Sequence, residues 1–191
     1  MSINQPPLER HPWAPYIPEG ARYLFLGTFP PRPERWSMEF YYPNRTNDFW
    51  RMAGLIFMGD RDALWDGAQR RFELSAIKSL LTREGIALWD TGMAVQRLKG
   101  NASDKFLEIV EPIDLASLLD AHPTITTVVT TGEKATSVIA SQAGIDVPAI
   151  GVPADCRVGT HGIRLWRMPS TSRAYPLPLE QKAEAYRKVF E

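Results

Sequence analysis

Three loops of this chain concentrate side chains that could do chemistry. The first, GTFPPRPERW at residues 27–36, joins Gly27, Thr28 and Phe29 to Pro30, Pro31 and Pro33. Glycine permits close backbone approach to a ligand and the prolines stiffen the rest of the turn, so its N–H groups can be aimed as fixed donors. The second, YYPNRTNDFW at 41–50, sets Tyr41 and Tyr42 before a proline, with Asn44 and Asn47 ahead of Phe49 and Trp50. A tyrosine presents a flat apolar face with a polar tip, and an asparagine presents both donor and acceptor. The third, MPSTSRAYPLP at 168–178, carries Ser170, Thr171, Ser172, Arg173 and Tyr175. Hydroxyls, backbone amides and a guanidinium are what hold a phosphodiester, and a side chain at the loop tip can wedge into a stack of bases.

Each loop also has a plainer reading. Phe49 and Trp50 suit the core at the start of a helix, Asn44 and Asn47 could cap that helix, and the third loop could be bare surface. The fragment TTGEKATS at 130–137 has too few glycines for a nucleotide phosphate loop, and its lysine is not followed directly by Ser or Thr. Thr130 and Glu133 stand instead at capping-box spacing, which predicts a helix start.

The elements that must position these loops are set by hydrophobic periodicity. Apolar runs of strand length occur at 22–27, 86–90, 126–131 and 163–168, and helical patterns at 47–58, 62–82, 112–121, 133–143 and 178–190. Alternation of this kind predicts a three-layer α/β/α domain with a central, mostly parallel four-stranded sheet. In such sheets ligands bind beyond the carboxyl ends of the strands, where the three loops and DTGMAVQRLKGNASDK fall. At 191 residues one domain is expected over 1–191, with the Pro-rich residues 1–20 packed on its surface.

Composition narrows the chemistry. The lone Cys156 can form neither an internal disulfide nor a four-thiolate iron–sulfur cluster, and His11, His122 and His161 lack metal-ligand spacing, so no metal and no cofactor is expected. No apolar run approaches the roughly 18 residues of a membrane span, and the N-terminus lacks an apolar signal core. A cytoplasmic, monomeric protein without membrane contact is the expectation. Basic and acidic residues number 22 each, so any polyanion affinity must be local. Residues 157–175 supply Arg157, Arg164, Arg167 and Arg173 with no acid, against Glu108, Glu111, Asp114 and Asp120 with no base in 108–120.

YYPNRTNDFWRM closely resembles, without a gap, the YYAHPRNAFW block of hypoxanthine-DNA glycosylases in the uracil-DNA glycosylase superfamily. GTFPP resembles that family's first motif, ALWDTGMAVQRLKGNASD its strand-plus-loop segment, and MPSTSRA its LPSTSPA; this last loop is also similar to one in thymine-DNA glycosylases. The four motifs keep the family's order over most of residues 22–190. The resemblance implies a uracil-DNA glycosylase-like fold, with Tyr42 the aromatic platform for a flipped base and Asn47 the leading polar catalytic residue. It implies further that Gly27, Thr28 and Phe29 line the base pocket, that Ser170, Thr171, Ser172 and Arg173 hold DNA, and that Asp90 supports the site. Phe29 stands where mismatch-specific relatives carry a water-positioning Asn, and no Asp follows Gly27. The implied activity is a monofunctional DNA glycosylase of base-excision repair, which flips out hypoxanthine or uracil and hydrolyses the glycosidic bond without a lysine adduct. A noncatalytic binder of damaged or single-stranded DNA is the alternative, and a hydrolase of free nucleosides a third reading.

Overall fold

The run YLFLG alternates strictly between two environments, and that alternation organises the molecule. The computed structural model describes residues 6–98 and 106–191. Its elements run β1 Leu8–Arg10, β2 Tyr23–Gly27, α1 Phe49–Met58, β3 Trp65–Asp66, β4 Arg71–Phe72, α2 Leu74–Glu84, β5 Ile86–Asp90 and β6 Gly92–Arg97. They continue β7 Leu107–Pro112, α3 Leu115–Ala121, β8 Thr127–Thr131, α4 Glu133–Ala143, β9 Pro153–Val158, β10 His161–Met168 and α5 Leu179–Arg187. The central sheet has the order β5-β2-β8-β10-β9; every pairing is parallel except β9 with β10.

Successive side chains of a strand point to opposite faces, so each strand feeds two cores. Leu24, Leu26, Ala87, Val128 and Leu165 pack with Leu115, Leu118, Leu119 and Ile139, which places α3 and α4 on one face. Phe25, Leu88, Val129 and Met168 pack with Trp50, Ile77, Leu81 and Tyr186, which places α1, α2 and α5 on the other. Three layers result, as the periodicity predicts.

Differences from the sequence reading have local causes. The sheet has a fifth strand, β9, an antiparallel edge whose exposed polar alternation and leading proline disguise it. The helix expected over 62–82 is confined to Leu74–Glu84, and the first half of the expected range is not helical. Asp66 Oδ1 accepts N–H bonds from Ala68 and Gln69, Arg70 takes a φ of 54°, and a short β3–β4 hairpin forms before α2 begins at Leu74. The Thr130–Glu133 capping box does not form. Gly132 occupies the N-cap without a side-chain cap, while the Thr130 hydroxyl is buried against Thr136 and donates to the Trp166 carbonyl.

The segment read as a loop after β5 is β6, which pairs antiparallel with β1 and β7 in a second sheet; its residues 99–105 lie outside the described residues. The chain from Leu8 to Tyr16 therefore runs from β6 to the edge of the central sheet, with Tyr16 bridging to Leu88 of edge strand β5. Gly85 makes the sharp entry to β5: its φ of 67° lets its N–H reach the last carbonyls of α2, Leu81 and Thr82. Phe25, central to one core, is predicted on truncation (Phe25→Ala) to lose about 3–5 kcal/mol of stability. Chemical denaturation should show this as a lower midpoint.

Candidate active site

β2, β5, β8 and β10 end at Gly27, Asp90, Thr131 and Met168, and beyond those ends lies a cavity of about 1170 Å³. All three loops singled out in the sequence reach it. Phe29, Tyr42, Asn47, Asp90 and the whole of Ser170–Arg173 line its wall. Gly27 and Thr28 are buried just behind. A Cβ on Gly27 would sit 2.6 Å from Asp90 Oδ1 and 3.4 Å from the Tyr42 hydroxyl, so the missing side chain is what lets both groups close on the end of β2.

Tyr42 is stacked flat on Phe49, with centroids 3.8 Å apart and planes at 7°. Its hydroxyl shares a 3.2 Å hydrogen bond with Thr131 Oγ1. Its φ of 51° is unusual for an aromatic residue, and doubly so before a proline, which favours extended backbone in its neighbour. Such a conformation costs on the order of 1–3 kcal/mol and persists where the surroundings impose it.

Asn47 lies one residue ahead of Asp48, the N-cap of α1, and remains in the cavity wall. Its Oδ1 accepts the Phe49 N–H at 2.9 Å at the start of α1, which leaves the NH₂ group, a donor, as what it can offer a ligand. Asn44 serves the turn itself, accepting from the Thr46 N–H and hydroxyl. In the third loop Ser172 and Arg173 are exposed, Ser170 is half-buried, and Thr171 is turned inward at 2% exposure with its carbonyl accepting the Asp48 N–H. Ser170 and Ser172 hydroxyls accept the N–H groups of Ser172 and Ala174, so they also shape the loop.

The electrostatics favour an anion. Among the described residues, Arg35, Arg97, Lys134, Arg167 and Arg173 line the cavity against two carboxylates, Asp90 and Glu133. Glu133 is paired with Arg167 at 3.1 Å. Of the four arginines in the basic stretch 157–175, Arg167 and Arg173 reach this wall, whereas Arg164 pairs with Asp155. The first turn of α4 also faces the cavity, and the N–H groups there are a ready anion site. Burial, then the charge of Asp90, raises the Tyr41 phenol far above its ordinary pKa, and its hydroxyl donates to the Ala14 carbonyl. Among the described residues no group of three His, Cys, Asp or Glu side chains could hold a metal ion, and no helix is long and apolar enough to cross a membrane.

Comparison with known proteins agrees with this architecture. No family model matches the chain. A hypoxanthine DNA glycosylase of Methanosarcina barkeri is 31% identical over 128 residues, spanning 66% of this chain and 73% of the relative. The chain belongs to the uracil-DNA glycosylase superfamily, in its hypoxanthine-DNA glycosylase branch. The solution NMR structure of a candidate uracil DNA glycosylase from Methanosarcina acetivorans matches with a TM-score of 0.64, covering 97% of this chain and all of that one. At 24% identity, that likeness speaks to the fold.

Within this superfamily member, residues that the motifs did not single out hold the site together. Asp48, buried at the N-cap of α1, receives Lys182 Nζ at 2.9 Å and faces Arg173 Nε at 3.5 Å. Lys182 is itself fully buried and donates a second bond to the Ser172 carbonyl at 2.8 Å. Tyr186, one helical turn on, donates to the Pro169 carbonyl at 2.6 Å. Helical spacing could have found Lys182, since it sits with Leu179, Ala183 and Tyr186 on the buried stripe of α5. Lys182→Met should cost about 3 kcal/mol, or roughly 6–12 °C in Tm, because it strands a buried carboxylate. Adding Asp48→Asn should restore part of that loss, and differential scanning calorimetry of both variants measures it.

Proposed function

We propose that the protein is a monofunctional DNA glycosylase of base-excision repair, taking a flipped deaminated base, hypoxanthine or uracil, into the cavity and hydrolysing its bond to the sugar. The observation that carries this reading is the convergence of a preset tyrosine face, a side-chain NH₂ donor and a helix N-terminus on one cation-rimmed cavity. The 31% identity to a hypoxanthine DNA glycosylase supports the same class.

The chemistry is governed by charge. Extracting a base from the stack costs a few kcal/mol, least for damaged or mismatched bases, and stacking against an aromatic side chain offsets part of it. As the glycosidic bond breaks, negative charge develops on the departing base, and fixed N–H donors in a water-poor site lower the barrier. With its oxygen held by Phe49, Asn47 acts in this scheme as a donor to the leaving base rather than as a base toward water. A lysine adduct is not invoked: Lys134, the lysine among the described cavity residues, is bonded to the Leu107 carbonyl, and Lys182 is locked on Asp48. The basic rim and the exposed Ser172–Arg173 tip would grip the flanking phosphates, with Tyr175 beside them at the helix entrance.

Phe29 favours a second reading, a noncatalytic binder of damaged or single-stranded DNA, because it places an apolar ring in the first-motif wall. Duplexes bearing hypoxanthine, uracil, or thymine opposite guanine separate the two, since an enzyme leaves an alkali-labile abasic site and a binder leaves intact strands. Asn47→Asp keeps the oxygen that accepts the Phe49 N–H and deletes the donor; single-turnover excision should fall about 100-fold with Tm nearly unchanged. Full excision by that variant would remove Asn47 from the mechanism. For binding, log Kd against log salt should be steep for the native protein, and Arg173→Ala should shallow the slope by about one.

A further inference from the structure

His11 lies behind the cavity wall, in an N-terminal segment outside the four family motifs. Its imidazole is 4% exposed, and its Nε2 lies 2.9 Å from Oδ2 of Asp90, whose side chain is 8% exposed. The ring is enclosed by Phe29 and Trp13 edge-on and by Tyr41 in a stacked arrangement. The backbone is equally fixed, for β1 pairs with β6 up to Arg10 and the His11 N–H donates to the Met93 carbonyl at 2.8 Å.

We propose that Asp90 is the carboxylate that receives a proton from the attacking water, and that His11 is the positioning residue that holds Asp90 aimed into the cavity. The inference rests on the glycosylase reading and adds the water-handling half of the reaction. Of the two carboxylates among the described cavity residues, Glu133 is 73% exposed and paired with Arg167, whereas Asp90 is buried at the sheet end. Asn47 has its oxygen committed to α1, and Phe29 has no acceptor. Asp90 is thus the buried acceptor of negative charge among the described lining residues.

Its geometry suits the task. Oδ2 is held by His11, while Oδ1 is pressed toward the Gly27 α-carbon, next to the Tyr42 hydroxyl, at the end of the strand that carries Phe29 into the wall. The Nδ1 atom of His11 lies 3.2 Å from the Trp13 N–H and 2.9 Å from the Trp13 carbonyl. Accepting from that N–H leaves a neutral ring with its proton on Nε2; donating to that carbonyl with Nε2 also protonated makes an imidazolium. In both forms Nε2–H donates to the carboxylate. A buried ion pair contributes little net stability compared with apolar packing, so a buried, enclosed His–Asp couple opening on a cavity points to function.

Atoms and electrons balance in this step. The C1′–N bond breaks with its electron pair leaving on the base, and a water oxygen forms the new bond to C1′. One proton of that water passes to Asp90 and from there to the departing base nitrogen, directly or through solvent, which regenerates the carboxylate. Before transfer, the anion also stabilises the positive charge developing on the sugar ring.

Single-turnover base release at saturating protein, on a hypoxanthine- or uracil-containing duplex, tests this beside DNA affinity by fluorescence anisotropy. Asp90→Asn should slow release by about 100-fold or more while Kd stays within about threefold. His11→Ala should slow it by roughly tenfold or more, and His11→Gln, whose amide can donate to the same oxygen, should recover most of the rate. Asp90→Asn acting at the native rate overturns the proposal. So does a loss confined to Kd or thermal stability in the His11 variants, or a Gln variant no faster than the Ala variant. If the native protein releases no base from any lesion, the glycosylase reading fails and takes this one with it; an active native protein with an equally active Asp90→Asn variant sinks only the role of the pair.

Discussion

A carboxylate in the interior needs cations and donors to replace the water it has lost, and Asp48 meets that need by joining two loops. Lys182 reaches it from α5, Arg173 from the third loop, and the Asp48 N–H is donated to the Thr171 carbonyl. Because Lys182 also holds the Ser172 carbonyl, one ammonium group fixes residues 48 and 172 together, and Asn47 and Ser172 form a β-bridge beside it. The two loops are about 125 residues apart in sequence, with Asp48 and Arg173 as their meeting point. In the proposed function, a donor for the base and a grip on the phosphate can act on one nucleotide only if their separation is fixed. The buried ion pair fixes it, at a desolvation expense that apolar packing would avoid.

The opposite wall obeys the same logic through a different pair. Residues 8–16 are tied to β6 by a ladder and to β5 by the Tyr16–Leu88 bridge, so the segment is part of the site's framework. Arg97 extends that framework. Its guanidinium donates to both oxygens of Glu9 and to the Pro30 carbonyl, and it lies 5.6 Å over the Phe29 ring. The N-terminal strand thereby reaches the first-motif loop through Arg97 and the end of β5 through His11.

Much of this was legible in the sequence. The strands β2, β5, β8 and β10 are apolar runs flanked by turn residues, and parallel topology puts all their carboxyl ends at one edge, so Phe29, Tyr42, Asn47 and Ser170 to Arg173 converge on one cavity. What stayed hidden was of two kinds. Short or irregular strands escaped because their patterns are broken: β6 and β7 shift register between Gly92 and Val95, and β9 is an exposed edge. The bonding partners His11–Asp90 and Asp48–Lys182 escaped because a local pattern does not specify contacts across 79 or 134 residues. Lys182 left a trace, a charge at an inward-facing helical position. His11 left none, since its segment is neither periodic nor apolar.

The Tyr42 platform shows how these constraints meet in one residue. One face of the ring is covered by Phe49, which is itself wedged edge-on against Trp50 and Phe25 in the core. The hydroxyl is tied to Thr131 at the end of β8, while the backbone is held at a positive φ ahead of Pro43. A tyrosine free to rotate would lose side-chain entropy on stacking with a base, on the order of 1 kcal/mol or less, and would collapse into an empty cavity. Here folding has already fixed the ring, and the first turn of α1 serves two purposes: Phe49 supports the ring while its N–H holds the oxygen of Asn47. In the proposed mechanism the orientation of the base and the direction of the donor are therefore set by the same helical turn, so a displacement of α1 would disturb stacking and leaving-group stabilisation together.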